Sequence, residues 1–160
     1  MAEPKLKEHP INIEAVVPRE LSIKLNVDDP KLMGDIENIT YSIAVGHSEY
    51  DHKEKAITVA IKLETKEAEN ETKKSPLSIR IELFGKFSVD EKRFSMKNIE
   101  HWAAHNAPFI LYPYLREHVY ALTVRCGLKP LLLPLVEVPT FKIEKQKKPK
   151  ASSAKSSKKS

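Results

Sequence analysis

The 160-residue chain has one cysteine, Cys126, so no disulfide can form within it, and a reducing cytoplasm is the compartment that fits. It has four glycines, and no glycine-rich phosphate loop is present. No run of about 18 apolar residues occurs, so no helical membrane span is expected. The opening stretch MAEPKLKEHP lacks the apolar core of a signal peptide. The C-terminal stretch 145–160 has no acid and no aromatic, yet holds seven lysines (145, 147, 148, 150, 155, 158, 159). The formal charge of +5 less these seven leaves the rest of the chain at −2, a mildly acidic body with a basic tail. Too polar to offset its ordering entropy, the tail is expected to be disordered. Residues 1–144 read as a single domain, large enough to bury a core without disulfide or metal.

No catalytic constellation stands out. His101 and His105 have the spacing of two zinc ligands, but Trp102 stands where a zinc protease needs its glutamate, and no third ligand is evident. Cys126 adjoins Arg125 but has no recognisable base, so a structural thiol is expected. Arg116 and Glu117 suggest a buried or interfacial ion pair. The chain therefore reads as non-enzymatic, with no cofactor and no metal.

What is present is alternation. Odd positions are apolar at Ile11, Ile13, Ala15 and Val17, and, after Pro18-Arg19-Glu20, at Leu21, Ile23, Leu25 and Val27. The same pattern recurs at Ile39–Val45, Ile57–Leu63 and Leu77–Leu83. Period two with polar residues between is the mark of half-buried strands, and one wet face favours an antiparallel sheet. Pro18 predicts a bulge or an edge position. Polar stretches Gly46–Lys55 and Thr65–Pro76 read as hairpin loops, whereas Asn26–Asp35 carries Leu32 and Met33, apolar side chains unusual in a loop.

Beyond Val89 the period changes. Ser95 is placed to cap a short helix ending near His105. A long helix is expected from about Pro113 to Cys126, with Pro113 in its first turn, Arg125 in its last and Gly127 as its stop. Leu111, Leu115, Val119 and Leu122 form one apolar stripe, and Tyr112, Tyr114, Tyr120 and Val124 widen it. Such a helix has apolar surface for its own sheet and for a second copy of itself. The run LKPLLLPLVEVP follows, almost wholly apolar yet broken by Pro130, Pro134 and Pro139. It is either clamped over the core or lines a groove.

Four strands, a short helix, then Pro108, Ile110, Leu111, Pro113, Tyr114, Arg116, Glu117 and Arg125 ahead of a proline-broken apolar loop resemble the SecB family of bacterial protein-export chaperones. Gly85, Phe87 and Ser88 resemble its turn at the end of the fourth strand, and Pro18-Arg19-Glu20-Leu21-Ser22 its first-strand interruption. The likeness spans about residues 11–138. It implies an α+β fold, a four-stranded antiparallel sheet packed by one short and one long helix, assembled into a homodimer or homotetramer. It implies a holdase that binds unfolded polypeptides in apolar grooves, for preprotein export or for antitoxin protection in a toxin–antitoxin system.

On this chain the resemblance implies a client groove lined by Leu32, Met33, Leu128, Leu131, Leu132, Leu133, Leu135, Val136 and Val138. It implies an oligomer interface at Tyr112, Tyr114, Leu115, Val119 and Leu122. A partner-docking face of the sheet would include Glu20, Lys24 and Arg80, where two of the family's acids are replaced by bases. That replacement argues against docking of an export motor. The family's second helix and acidic tail are also absent from the pattern: PTFKIEKQKKPK has no helical amphipathicity and leads into lysines. The rival reading is a nucleic-acid-associated protein acting through that tail by non-specific phosphate contact.

Overall fold

The computed structural model describes residues 6–29, 39–66 and 75–137. Leu32, Met33, Val138 and the basic tail lie outside the described residues. The strands are β1 (Ile11–Leu25), β2 (Tyr41–His47), β3 (Ala56–Thr65) and β4 (Leu77–Val89). They form one antiparallel sheet, as the alternation predicts, with the strands in the order β1-β4-β3-β2. A 3-10 turn (Met96–Asn98) leads into α1 (Ile99–His105) and α2 (Ala107–Arg125). Ser95 sits at the start of that turn, but its side chain makes no capping hydrogen bond.

The inner face of the sheet is the odd face of the two central strands. Ile57, Val59, Ile61 and Leu63 of β3 and Leu77, Ile79, Ile81, Leu83 and Phe87 of β4 are buried against α1 and α2. From the helices come Trp102, Ala103, Ala107, Leu111, Leu115 and Val119, and Trp102 meets Phe87 edge-on at 5.1 Å between ring centroids. Gly85 allows α2 to approach this closely. A Cβ there would stand 2.6 Å from Leu111 Cδ2 and 2.9 Å from Phe87 Cε2.

Two expectations are corrected. The odd positions of β1 do not all face inward, because its register slips between Ile13 and Ala15 and again between Pro18 and Glu20. Each bulge adds one residue and turns the following side chains to the other face. Ala15 and Val17 therefore pair with Lys86 and Phe84 on the outer face, and Leu21 returns inward opposite Ile81. The second correction concerns Pro113, which is not in the first turn. α2 starts six residues earlier, and Pro108 takes the first-turn position. Pro113 lies inside the helix on its exposed side, where water can serve the carbonyl that the missing N–H leaves open.

Candidate functional site

The end of α2 explains how the proline-rich run is placed. Gly127 has a φ of +72°, a left-handed backbone that glycine adopts without strain. The Gly127 N–H donates to Val124 O (2.9 Å) and the Leu128 N–H to Thr123 O (3.1 Å), closing the last turn with a Schellman cap. The chain then reverses and runs back along α2 as an irregular ribbon, 128–137, held by side chains of the helix. Thr123, fully buried, accepts the Leu131 N–H at its Oγ1 (3.1 Å), with Val119 O and Tyr120 O also within 3.0 Å of that hydroxyl. Arg116 Nε donates to Leu133 O (3.0 Å), and Tyr112 Oη to Pro134 O. Burial, with Tyr41 alongside, holds the Tyr112 phenol above the usual tyrosine range, so it stays a donor.

These bonds sort the leucines. Leu133 is 2% exposed and belongs to the core, with Leu128 and Leu131 packed half-buried against it. Leu132, Leu135 and Val136 turn outward, 65%, 82% and 44% exposed. The ribbon is thus both clamped and open: its polar backbone is satisfied on the helix side, and part of its apolar surface is presented to solvent. Of the groove residues expected from the sequence, Leu133 is the one given up, because the Arg116 bond to its carbonyl turns its side chain into the protein.

The helix residues divide similarly. Tyr112, Leu115 and Val119 are buried under the protomer's own sheet, and Leu122 is half-buried. Tyr112, Leu115 and Val119 belong to the chain's own core, and Leu122 packs against it. The outward stripe of α2 is Ile110, Tyr114, Tyr120 and Val124, of which Tyr114 alone was placed in the interface from the sequence. Arg116 and Glu117 do not pair. Arg116 Nε is turned to Leu133 O, and Glu117 is exposed, 3.6 Å from His118 Nδ1.

The outer face of the sheet is charged and self-compensated. Arg80 reaches Glu20 (3.7 Å) and Glu64 (3.3 Å), Lys62 meets Glu64 (3.0 Å), and Arg19 lies 3.8 Å from Glu82 and over the ring of Phe84. Lys62 beside Glu64 holds that carboxyl below the usual range. Lys86 bonds Glu54 (2.7 Å) and lies 3.6 Å from Glu14, and the Glu54 contact raises its ammonium. Lys24 shares this face, opposite Ser78. His101 and His105 stack at 4.3 Å on α1, and among the described residues no group of three or more His, Cys, Asp or Glu could hold a metal. No helix among them is long and apolar enough to cross a membrane.

This is an α+β architecture with one sheet face packed by helices and an apolar ribbon exposed beside them. Residues 5–148 match the family described as "Preprotein translocase subunit SecB", and the chain belongs to the SecB family. Among solved structures it resembles the Mycobacterium tuberculosis SecB-like chaperone Rv1957, described in complex with a ChAD peptide from the Rv1956 HigA1 antitoxin. The TM-score is 0.61 at 22% identity, over 82% of this chain and 94% of that one. It is also 31% identical over 65 residues to the uncharacterized protein MJ0357 of Methanocaldococcus jannaschii. That match covers 41% of this chain and 41% of the length of that relative.

Proposed function

We propose that this chain is a cytoplasmic, non-enzymatic holdase that binds unfolded polypeptides on its apolar ribbon. The observation that carries this reading is the division of the leucine run, with Leu133 locked inward and Leu132, Leu135 and Val136 outward. Burying a leucine-sized side chain contributes roughly 1.5–3 kcal/mol. A few such contacts hold a client without reading its sequence, and the prolines keep the ribbon from pairing regularly and closing itself off. The outward stripe of α2 is the surface we assign to assembly into a homodimer or homotetramer.

For the client, we favour an aggregation-prone cytoplasmic protein such as an antitoxin over an export precursor. Rv1957 offers a precedent in its antitoxin peptide. The paired charges of the outer face support the same choice. Glu20 and Glu64 already face Arg80, so a basic docking module meets little free negative potential there.

The seven lysines of 145–160 keep a second reading, nucleic-acid association, in play. Deleting residues 145–160 separates the two. The holdase reading expects suppression of aggregation of a chemically unfolded client to survive the deletion. Loss of suppression, or tight binding of the intact chain to duplex DNA or RNA at physiological salt, favours the tail.

A further inference from the structure

We propose that His101 and His105 form a two-point chelating site on the outer side of α1 for a divalent transition-metal ion, with Cu²⁺ the tightest and Ni²⁺ and Zn²⁺ weaker. The proposal is independent of the holdase reading.

The helix sorts its own side chains. α1 turns Ile99, Trp102 and Ala103 into the core. At about 3.6 residues per turn, His101 and His105 then lie one above the other on the opposite side, and both are exposed. Their rings stack at 4.3 Å between centroids with the planes 20° apart. The register that buries the tryptophan is the one that pairs the two imidazoles.

The tautomer of His105 is fixed by its backbone bond. Its Nδ1 stands 3.0 Å from His101 O, and a carbonyl oxygen only accepts, so Nδ1 carries the proton. The lone pair is therefore on Nε2, the nitrogen that a metal would take. A ring N–H donated to a backbone carbonyl is the support that metal-bound imidazoles commonly have: it holds the ring's orientation and raises its basicity. In the neutral ring of His101, too, one nitrogen carries a lone pair, whatever the other one holds.

The spacing suits one ion. Metal–nitrogen bonds of about 2.0–2.1 Å put two imidazole nitrogens on neighbouring positions about 3 Å apart. Nearly parallel rings 4.3 Å apart reach that by a small side-chain rotation. Once one ring has bound, the helix holds the second at high effective concentration. Imidazole nitrogen selects copper, nickel and zinc over oxygen-seeking Mg²⁺ and Ca²⁺, and the affinity order peaks at Cu²⁺. The sequence expectation of no metal rested on a missing glutamate and a missing third ligand. A zinc protease or a closed structural site needs those, whereas a chelating pair leaves its other positions to water.

Binding has a consequence for the fold. α1 is only seven residues long, and Asn98 at its start makes no side-chain capping bond, yet it carries Trp102 and Ala103 into the core. An ion bridging residues one turn apart staples that helix, so it should stabilise the folded state by mass action.

The test is calorimetric titration of Cu²⁺, Ni²⁺ and Mg²⁺ into the untagged full-length protein and its His101→Gln, His105→Gln and His52→Gln variants, with melting curves recorded with and without metal. The parent should bind one Cu²⁺ per chain, Ni²⁺ more weakly and Mg²⁺ not at all. Each substitution within the pair should weaken Cu²⁺ binding about tenfold or more, the loss expected when a chelate becomes a single ligand, and abolish the rise in melting temperature. His52→Gln should change neither. If a pair variant fails to fold, Cu²⁺ line broadening in the parent decides: the amides of residues 100–106 should broaden first. No binding, binding that survives both substitutions, weakening by only one of them, or broadening centred elsewhere overturns the proposal.

Discussion

Arg116 donates its Nε proton to the carbonyl of Leu133, 3.0 Å away, so a helix guanidinium fixes the one ribbon leucine that is buried. This contact separates structure from function within four successive residues. Leu133→Ala should cost about 2–5 kcal/mol of stability, the range for deleting a core leucine. Leu132→Asp, one residue earlier and exposed, should leave stability within about 0.5 kcal/mol while weakening client binding. Arg116→Met keeps the stem and removes the donor. It should destabilise by about 1–3 kcal/mol and loosen the ribbon, seen as faster amide exchange over 131–136. Chemical denaturation with parallel client titrations measures all three.

The approach of α2 to the sheet makes a second prediction. Gly85→Ala places a methyl group 2.6 Å from Leu111 Cδ2, so the substitution should destabilise by about 1–3 kcal/mol. Adding Leu111→Ala relieves the clash, so the double variant should lose less than the sum of the two single losses. Strict additivity in a double-mutant cycle would contradict the assigned contact.

Pro113 makes a third. The ring sits inside α2 on its exposed side. Pro113→Ala restores an intrahelical N–H, so it should stabilise by about 1–3 kcal/mol and raise the melting temperature. An unchanged or lower melting temperature would show that the ring makes a contact worth as much as the lost hydrogen bond.

A fourth concerns pH. Burial and the hydrogen bond from Tyr50 Oη to Glu91 Oε1 (3.0 Å) push the Tyr50 phenol up to about 12. A folded-state value above the unfolded one favours the neutral form. The contribution to stability is therefore complete below about pH 10 and is lost as pH rises through about 12. Ultraviolet titration should show late tyrosinate formation at Tyr50, besides the raised step of Tyr112. Glu91→Gln removes the charge and should bring the Tyr50 step toward the normal range.

Much of the fold was legible because β3 and β4 obey one rule throughout. Every odd position from Ile57 to Leu63 and from Leu77 to Leu83 is buried. β1 escapes that rule because, although Pro18 signals the bulge at Arg19, the earlier bulge at Glu14 leaves no composition signal. Ala15 and Val17 look inward on paper and face outward in the structure. The start of α2 was misplaced because two prolines, Pro108 and Pro113, compete for the first-turn position, and spacing does not rank them. The helix faces were ambiguous for a related reason. α2 is apolar on both sides, so Leu115 and Tyr114 look alike in sequence, and only the closeness of Gly85 to Leu111 shows which side the sheet takes. The ribbon was visible as an apolar loop, but its direction depends on side-chain to main-chain bonds from Tyr112, Arg116 and Thr123. No spacing rule encodes those bonds.

The account stands on the outward half of the ribbon. The most direct measurement is calorimetric titration of a permanently unfolded client into the parent protein and into the Leu132→Asp/Leu135→Asp double variant, with both melting curves recorded. The account predicts that the parent binds, and that the variant melts like the parent and binds at least tenfold more weakly, on the order of the loss of one buried leucine contact. Equal affinity for the two proteins, or a parent that binds no unfolded client, would contradict it.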